Sequence, residues 1–346
     1  MVPTAKRELV HAQDQWSITQ FCAALTNALA GSGPALGIGN ILSTSVSTDV
    51  ALVVTTSGST GTPKEIHLSA AAVTASAKAA NTFLKADAGN SWSLLLPLTH
   101  IAGINVLVRA LLLKSEVLDF RNNSQYTKAD FTAIVPTQLN RALTADHQLL
   151  KHLQEAKAVL VGGAPLAESD KQSAHANGIN VITTYGMSET SGGCIYNGTP
   201  LDGVAVKIVE NIIYLRGPML AQVPLVDGWL KTADIGRLEN GKLAVFGRSD
   251  DQIISGGEKI SLSVIEQALS ENFESIFLAF AKPDQEWGER LCIATTLELS
   301  QDTISHFLKN RFGGYATPKE IHKVDEIPLI GIGKPDRAKL IERLAK

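Results

Sequence analysis

Thr55-Thr56-Ser57-Gly58-Ser59-Thr60-Gly61-Thr62-Pro63-Lys64 follows an apolar, β-branched run, Val50 to Val54, and its residue types suit a polyphosphate. Glycines let backbone N–H groups turn toward a ligand without a Cβ in the way, hydroxyls donate further hydrogen bonds, and the lysine adds a point charge. The same composition fits a plain surface loop, and the Walker spacing is absent because Pro63 precedes Lys64 and Glu65 follows it. Tyr185-Gly186-Met187-Ser188-Glu189-Thr190 sets an aromatic able to stack on a purine four residues before a carboxylate able to hold a hard cation on phosphates. In isolation Glu189 would read as a solvated turn carboxylate. Asp234, within Gly228-Trp229-Leu230-Lys231-Thr232-Ala233-Asp234-Ile235-Gly236, is an ionised acceptor suited to a vicinal diol. Near the end, Pro328-Leu329-Ile330-Gly331-Ile332-Gly333-Lys334-Pro335 is a glycine-flanked loop that delivers one ammonium.

The elements that must position these groups alternate as in α/β proteins. Residues 1 to 48 are weakly patterned, with a helix expected over Ile18 to Ala30 and no chemistry read there. A strand over 50 to 55 delivers the hydroxyl-rich loop, a short strand over 65 to 68 leaves it, and a helix capped by Ser69 runs to Phe83. Strands are expected at 92 to 96, 131 to 135, 158 to 161 and 181 to 184, each ending in small, polar or aromatic residues, with helix periodicity over Ile101 to Leu113. Ligands of open α/β sheets bind beyond the carboxyl ends of strands, so one shared site is expected. After about 195 the text turns to short strands with turn pairs, Asp227-Gly228 and Asn240-Gly241, which reads as a small β-subdomain. Gly247-Arg248-Ser249-Asp250-Asp251 breaks it, and an α+β module follows with a helix from Ser263 whose capping box uses Glu266.

A chain of 346 residues exceeds a single core, so a large domain, 1–249, and a small one, 250–346, are expected. Its 45% hydrophobic and 19% charged residues are ordinary for a soluble globular protein, and a net charge of −3 gives no case for nucleic acid. Cys22, Cys194 and Cys292 are odd in number and far apart, neither a disulfide framework nor a metal cluster. No secretory signal opens the chain, and the most apolar stretch, 101 to 113, is interrupted by Asn105 and Arg109 and falls short of the ~20 residues a bilayer span needs. A cytoplasmic protein without stable membrane insertion is expected; a homo-oligomer stays open.

The phosphate-loop pattern, in company with the other motifs, resembles the adenylate-forming superfamily of acyl-CoA synthetases and adenylation domains. The resemblance runs from about residue 50 to the end, lacking most of what usual members place ahead of the phosphate loop, so a cut-down large domain is expected. It implies an α/β fold whose large N-terminal domain holds mainly parallel sheets and a small β-subdomain, followed by a small mobile α+β C-terminal domain. It also implies that Thr56, Ser57, Gly58, Ser59, Thr60, Gly61 and Lys64 bind the phosphates of ATP, and that Gly163, Ala164 and Pro165, in Gly162-Gly163-Ala164-Pro165, take the adenine side. Thr184, Tyr185, Gly186, Met187, Ser188 and Thr190 line the nucleotide, Glu189 and Thr60 hold Mg, Asp234 accepts from the ribose hydroxyls, and Arg248 approaches ribose and phosphate. Asp250 is the hinge and Lys334 the catalytic ammonium at the α-phosphate. One departure is Ala233, where the family has glycine, from which a slightly altered backbone is expected.

Segments outside the motifs, Leu96-Pro97-Leu98-Thr99-His100-Ile101-Ala102-Gly103 with Val106-Leu107-Val108-Arg109, Val135-Pro136-Thr137-Gln138-Leu139, and Thr183 to Tyr196, look like the compact o-succinylbenzoate–CoA ligases of menaquinone biosynthesis. An ATP- and Mg-dependent ligase of a small carboxylic acid with CoA is therefore expected. His100, Thr137 and Ser191 to Gly193 would wall the acid's ring, His100 either donating a hydrogen bond or packing as a neutral histidine. Loading another acid onto CoA or a carrier-protein thiol stays open, as does an inactive nucleotide-binding scaffold, which would have no use for Lys334.

Overall fold

The helix Ile101–Leu113 is apolar nearly all round and is buried on every side over most of its length, as such a helix must be. With Ala70–Leu84 and Ile18–Ala30 it fills a layer between two sheets, and one continuous core joins Leu36, Leu52 and Ile66 of one sheet to Leu94, Ala133 and Leu160 of the other through Ala77, Ile104 and Val108. The structure, a computed structural model, describes residues 6–13, 15–57, 63–123, 125–273, 275–330 and 334–344.

The first sheet has the order Ser45–Ser47, Lys6–His11, Ala35–Ile38, Val50–Ser57, Pro63–Ser69. Its three central strands are parallel and its flanking ones antiparallel, with Leu36 opposite Leu52 and Thr56 opposite Lys64. Three of these strands come from the first 48 residues, where only a helix was expected. Their β text is short, and it is burial against Val50–Ser57 that makes strands of it.

The second sheet runs Thr199–Pro200, Gly192–Tyr196, Val181–Met187, Ala158–Val161, Phe131–Ile134, Trp92–Leu94, Val117–Asp119, parallel from Val181–Met187 onward and antiparallel at the other edge. Val181–Met187 does not stop at Tyr185 as expected but continues past it through a register shift between Tyr185 and Gly186. A four-stranded antiparallel sheet, Ala205–Val209, Ile212–Arg216, Leu230–Glu239 and Lys242–Arg248, follows; Asn240 and Gly241, both at positive φ, make its expected tight turn. The α/β reading with a β-subdomain is the observed one.

Residues 252–323 form another sheet, Glu258–Ser261, Gln252–Ser255, Gly288–Thr295 and Phe277–Asp284, with Glu320–Lys323 added parallel to Gly288–Thr295. Two apolar clusters drawn from residues 253 to 344 cover its faces. Three features here lay outside sequence expectation: the strand pair Gln252–Ser255 with Glu258–Ser261, the hairpin Leu329–Ile330 with Lys334–Pro335, and the helix Arg337–Leu344. The expected capping box is also corrected. The helix is Leu262–Phe273, the Ser263 amide donates to Asp251 Oδ2 (3.0 Å), and Glu266 instead accepts from the Ala279 amide (2.8 Å) and from Arg337 (2.7 Å). A nearby carboxylate outcompeted the local serine for the helix N-terminus.

Burial, only partly offset by Arg337, pushes the Glu266 carboxyl up to about 7. Between the ordinary Glu value of about 4.3 and 7 the folded chain holds a proton that the unfolded chain releases, so this group's contribution to stability falls as pH rises through that window. The urea midpoint of the native chain minus that of Glu266→Gln should therefore decline from pH 4.5 to 7.5. A difference flat across that range would contradict the buried-carboxyl account.

Candidate active site

Two of the expected strand ends are tied to other motifs: Gly162 packs against Thr184, and Tyr185 reaches Asp234. Val50–Ser57 and Pro63–Ser69 lead into and out of the hydroxyl-rich loop. Gly58, Ser59, Thr60, Gly61 and Thr62 lie outside the described residues, as does the side chain of Ser57. Thr56 sits opposite Lys64 with its hydroxyl 3.5 Å from the Lys64 carbonyl, and Lys64 is exposed. The exit strand is anchored by Glu65, whose carboxylate accepts from the Leu42 and Ser43 amides and the Ser43 hydroxyl. These three hydrogen bonds oppose the effect of burial and hold its pKa below the usual glutamate range.

Beyond Ala158–Val161, Gly163 takes a positive φ of 88° and is exposed together with Ala164 and Pro165, an open backbone ledge. Gly162, not among the expected residues, is the closely packed one: a Cβ there would lie 2.2 Å from Thr184 Oγ1. Gly186 is likewise a packing glycine, with the Gly192 carbonyl 2.1 Å from where its Cβ would stand. Thr190 is fully buried, and its hydroxyl accepts from the Met187 amide (2.9 Å) and donates to the Gly192 carbonyl (2.7 Å), so it shapes the 3-10 turn Ser188–Thr190. That turn holds Glu189 half-buried while Ser188 and Met187 stay half-buried beside it. Ser76 and Asn105, from two helices, donate to the Ser191 carbonyl (3.1 and 2.8 Å), and the Ala221 amide donates to the Glu189 carbonyl (2.8 Å).

The tightest polar cluster joins three motifs. The Tyr185 hydroxyl donates to Asp234 Oδ2 at 2.6 Å, Arg248 Nη1 lies 3.4 Å from Asp234 Oδ1, and Arg248 makes a two-pronged pair with Asp250 at 2.7 Å for each prong. Asp234 and Arg248 are cross-strand partners, and the Asp234 side chain is 11% exposed. Burial and the neighbouring carboxylate push the Tyr185 phenol far above its ordinary value, so it stays a donor. Hydrogen bonding to Asp250 likewise raises Arg248, keeping it cationic. A carboxylate offers about four lone-pair sites, so Asp234 retains acceptor capacity for a diol. Ala233 is not among the described residues with positive φ, so alanine is accommodated without strain, and its carbonyl accepts from Ser249 Oγ at 2.9 Å.

Around the expected acid pocket, His100 precedes the helix Ile101–Leu113 without capping it, and burial lowers its pKa, leaving it neutral at pH 7. Thr137 is exposed at the start of its helix. Gly192 is not open to a ring as expected: it is buried at φ 96°, and the atom nearest its absent Cβ, at 2.1 Å, is the Asn105 amide nitrogen. Arg109, expected as a break in an apolar run and as part of a resembling segment but given no role in the site, is a 4%-exposed cation that donates to the Tyr196 hydroxyl (3.1 Å) and lies 5.3 Å from the Trp92 ring centre. Among the described residues no carboxylate lies within ion-pair distance of it. An arginine interrupting an otherwise core-like helix was the available signal.

Lys334 pairs with Ile330 in the terminal hairpin; its side chain lies outside the described residues. Elsewhere Cys292, Glu320 and His322 have metal-ligand types within 4.8 Å of one another. The Lys282 ammonium stands 2.5 Å from Glu320 and 3.5 Å from His322 Nε2, where an ion would sit, and Arg290 holds the other Glu320 oxygen, so this is a salt-bridge network. Among the described residues no helix is long and apolar enough to cross a membrane.

The model of the AMP-binding enzymes matches residues 8–217, and that of the AMP-binding enzyme C-terminal domain matches 275–334. The chain belongs to the AMP-binding enzymes. It is 37% identical, over 93% of its own length and 94% of the other's, to a Mycobacterium tuberculosis protein named "Probable 2-succinylbenzoate--CoA ligase". It is 30% identical to the Escherichia coli 2-succinylbenzoate–CoA ligase over 76% of this chain and 62% of that one. Among solved structures, an E. coli MenE variant with bound OSB-AMS superposes with a TM-score of 0.75 at 25% identity, covering 96% of this chain and 81% of the other. Bacillus subtilis MenE in complex with ATP and magnesium ion shares the fold, with a TM-score of 0.74 at 21% identity over 92% and 82% of the two chains.

The expectation that Asp234 accepts from a ribose diol predicts that Asp234→Ala raises the Kd of both ATP and AMP by about 10–100-fold, the loss expected for hydrogen bonds to a charged acceptor. Calorimetric titration of both nucleotides checks it, and unchanged affinities would remove Asp234 from the nucleotide site.

Proposed function

We propose that this AMP-binding enzyme is an ATP-dependent acid–CoA ligase whose acid is 2-succinylbenzoate, so that it serves menaquinone biosynthesis. The observation that carries the reading is Asp234, a mostly buried carboxylate held by a neutral donor with acceptor capacity left over, in a chain that runs nearly end to end with a relative named for that reaction. A carboxylate oxygen of the acid attacks the α-phosphorus of ATP, and pyrophosphate leaves with the electron pair of the broken P–O bond. The CoA thiol, losing its proton, then adds to the carbonyl carbon of the acyl-adenylate, and AMP leaves with the C–O pair.

Both steps build charge, at phosphorus and then at a carbonyl oxygen, so preorganised donors are the main requirement. Asp234 holds the ribose, with Tyr185 and Arg248 fixing the carboxylate. The ledge Gly163-Ala164-Pro165 lies against the base, Thr184 supporting it from below Gly162. Thr56 and Lys64 flank the loop Ser57 to Gly61 that takes the phosphates. Glu189 and Thr60 hold magnesium, which offsets phosphate charge when bound. Lys334 stabilises charge at the α-phosphate in the first step, and it must leave before CoA enters, so rotation of residues 250–346 about Asp250 has a physical reason. The protein works in the cytoplasm, without nucleic acid.

The acid's specificity rests on the region of His100 and the helix Ile101–Leu113. Arg109 contributes positive potential from within the core, where a low dielectric strengthens its pull on a second carboxylate. His100 supplies a neutral donor rather than a charge. A pyrophosphate-release assay across a panel of acids tests the reading. The kcat/KM for 2-succinylbenzoate should exceed that for benzoate or a medium-chain fatty acid by at least roughly 10–100-fold, since those leave the second-carboxylate site unpaired. Values within a factor of a few across the three acids would leave only a generic ligase.

Lys334→Ala should slow acyl-adenylate formation by roughly 10²–10³-fold, the effect of losing one preorganised electrostatic donor. Thioester formation from supplied acyl-adenylate should survive in the same variant. Equal losses in both half-reactions of a folded enzyme would sink the assignment of Lys334 to adenylation.

A further inference from the structure

The guanidinium of Arg337 has more structural partners than its position in a C-terminal tail requires. Nε donates to the Ala279 carbonyl (2.7 Å), Nη2 to Glu266 Oε1 (2.7 Å), and Nη1 to Asp251 Oδ1. These partners come from three elements: the strand Phe277–Asp284, the helix Leu262–Phe273 and the turn Ser249–Asp251. Arg337 opens the helix Arg337–Leu344 immediately after the hairpin that carries Lys334. The base of that hairpin is closed by the Asp336 amide donating to the Pro328 carbonyl (2.7 Å), Asp336 Oδ1 accepts from the Lys339 amide (3.0 Å), and Leu340 is buried beneath. Lys334 thus stands three residues from a side chain bound directly to Asp251, and Asp251 adjoins the proposed pivot. On the other side of the pivot, Asp250 grips Arg248, which reaches Asp234.

We propose that Arg337 is a positioning residue that holds the Lys334 hairpin at a fixed offset from the pivot at Asp250, so that rotation of the C-terminal part carries the lysine to the α-phosphate as a rigid arm. This rests on the adenylation reading above. A planar fork with donors in fixed directions sets orientation as well as distance, which a lysine at 337 does only in part. A displacement of the order of 1 Å at a reacting group costs about 10²-fold in rate, so a loosened arm lowers the adenylation rate while the nucleotide still binds. The thioester step, which proceeds with Lys334 withdrawn, does not need the arm.

The test uses the full chain with Arg337→Lys and Arg337→Met, alone and combined with Lys334→Ala. In Arg337→Met, acid-dependent pyrophosphate release should fall about 10–100-fold in kcat with the KM for ATP within a factor of three, and Arg337→Lys should recover part of the loss. Thioester formation from supplied acyl-adenylate should stay within a factor of three of the native rate. In the Lys334→Ala background neither substitution should lower adenylation further, because Arg337 acts through that lysine. Parallel loss of both half-reactions, or an undiminished effect without Lys334, overturns the proposal. Amide hydrogen exchange supplies a readout independent of activity: residues 327–336 should exchange about tenfold faster in Arg337→Lys with residues 277–295 unchanged. Unaltered exchange at 327–336 overturns the positioning role even if no acid is activated, whereas an inert native enzyme with loosened exchange faults the ligase reading alone.

Discussion

The hydrogen bond from Tyr185 to Asp234 is where three parts of the chain become one site. Tyr185 ends the parallel part of the seven-stranded sheet, Asp234 lies in the four-stranded sheet, and Arg248, opposite Asp234, begins the passage to the C-terminal sheet. A mostly buried carboxylate must be solvated by protein groups or lose its charge. Here a neutral phenol does most of that work, and its own raised pKa guarantees that it donates. A fully engaged arginine would satisfy the charge but consume the acceptor geometry. Instead Arg248 spends its two best hydrogen bonds on Asp250 and approaches Asp234 only at 3.4 Å. The cluster therefore fixes Asp234 in place without closing it off.

The turn bearing Glu189 depends on close backbone packing rather than on side-chain charge. Gly186 lets Val181–Met187 approach Gly192–Tyr196, and Gly192 lets the Asn105 amide approach, so closely that a Cβ at either would overlap its neighbour. The Ser191 carbonyl is then reachable by Ser76 and Asn105, which ties the turn to the helix layer that also forms the core of both large sheets. Glycines whose motifs suggest ligand approach thus do structural work here, in the packing of backbone and side chains. Gly163, by contrast, is exposed at positive φ.

Legibility in the sequence follows the range of the forces involved. The helix Ile101–Leu113, the strand Ala158–Val161, the Ser69 cap and the Asn240-Gly241 turn came out where local pattern placed them, because period, cap and turn chemistry act over a few residues. The strands of the first 48 residues did not, since each is short and is stabilised by partners far along the chain. The same distinction applies within the site. Asp234 and Tyr185 were legible as chemistry from their motifs, but their hydrogen bond, the Asn105 amide against Gly192 and the Asp251 cap on Leu262–Phe273 join residues that no local window contains.

A half-buried and a buried arginine show how differently the fold treats the same charge. Arg337 meets Asp251 and Glu266, and one cation cannot balance two ionised carboxylates. Burial and that imbalance raise Glu266 to about 7, so near neutrality the triad moves between zero and one net negative charge while keeping its directed contacts. Arg109 has the opposite arrangement, a tyrosine hydroxyl, an aromatic face and no carboxylate among the described residues. Its charge is stabilised by polarisable neighbours but not cancelled, and an uncancelled charge in a low-dielectric core projects potential to the surface above it. Arg337 is therefore suited to hold geometry and Arg109 to select charge.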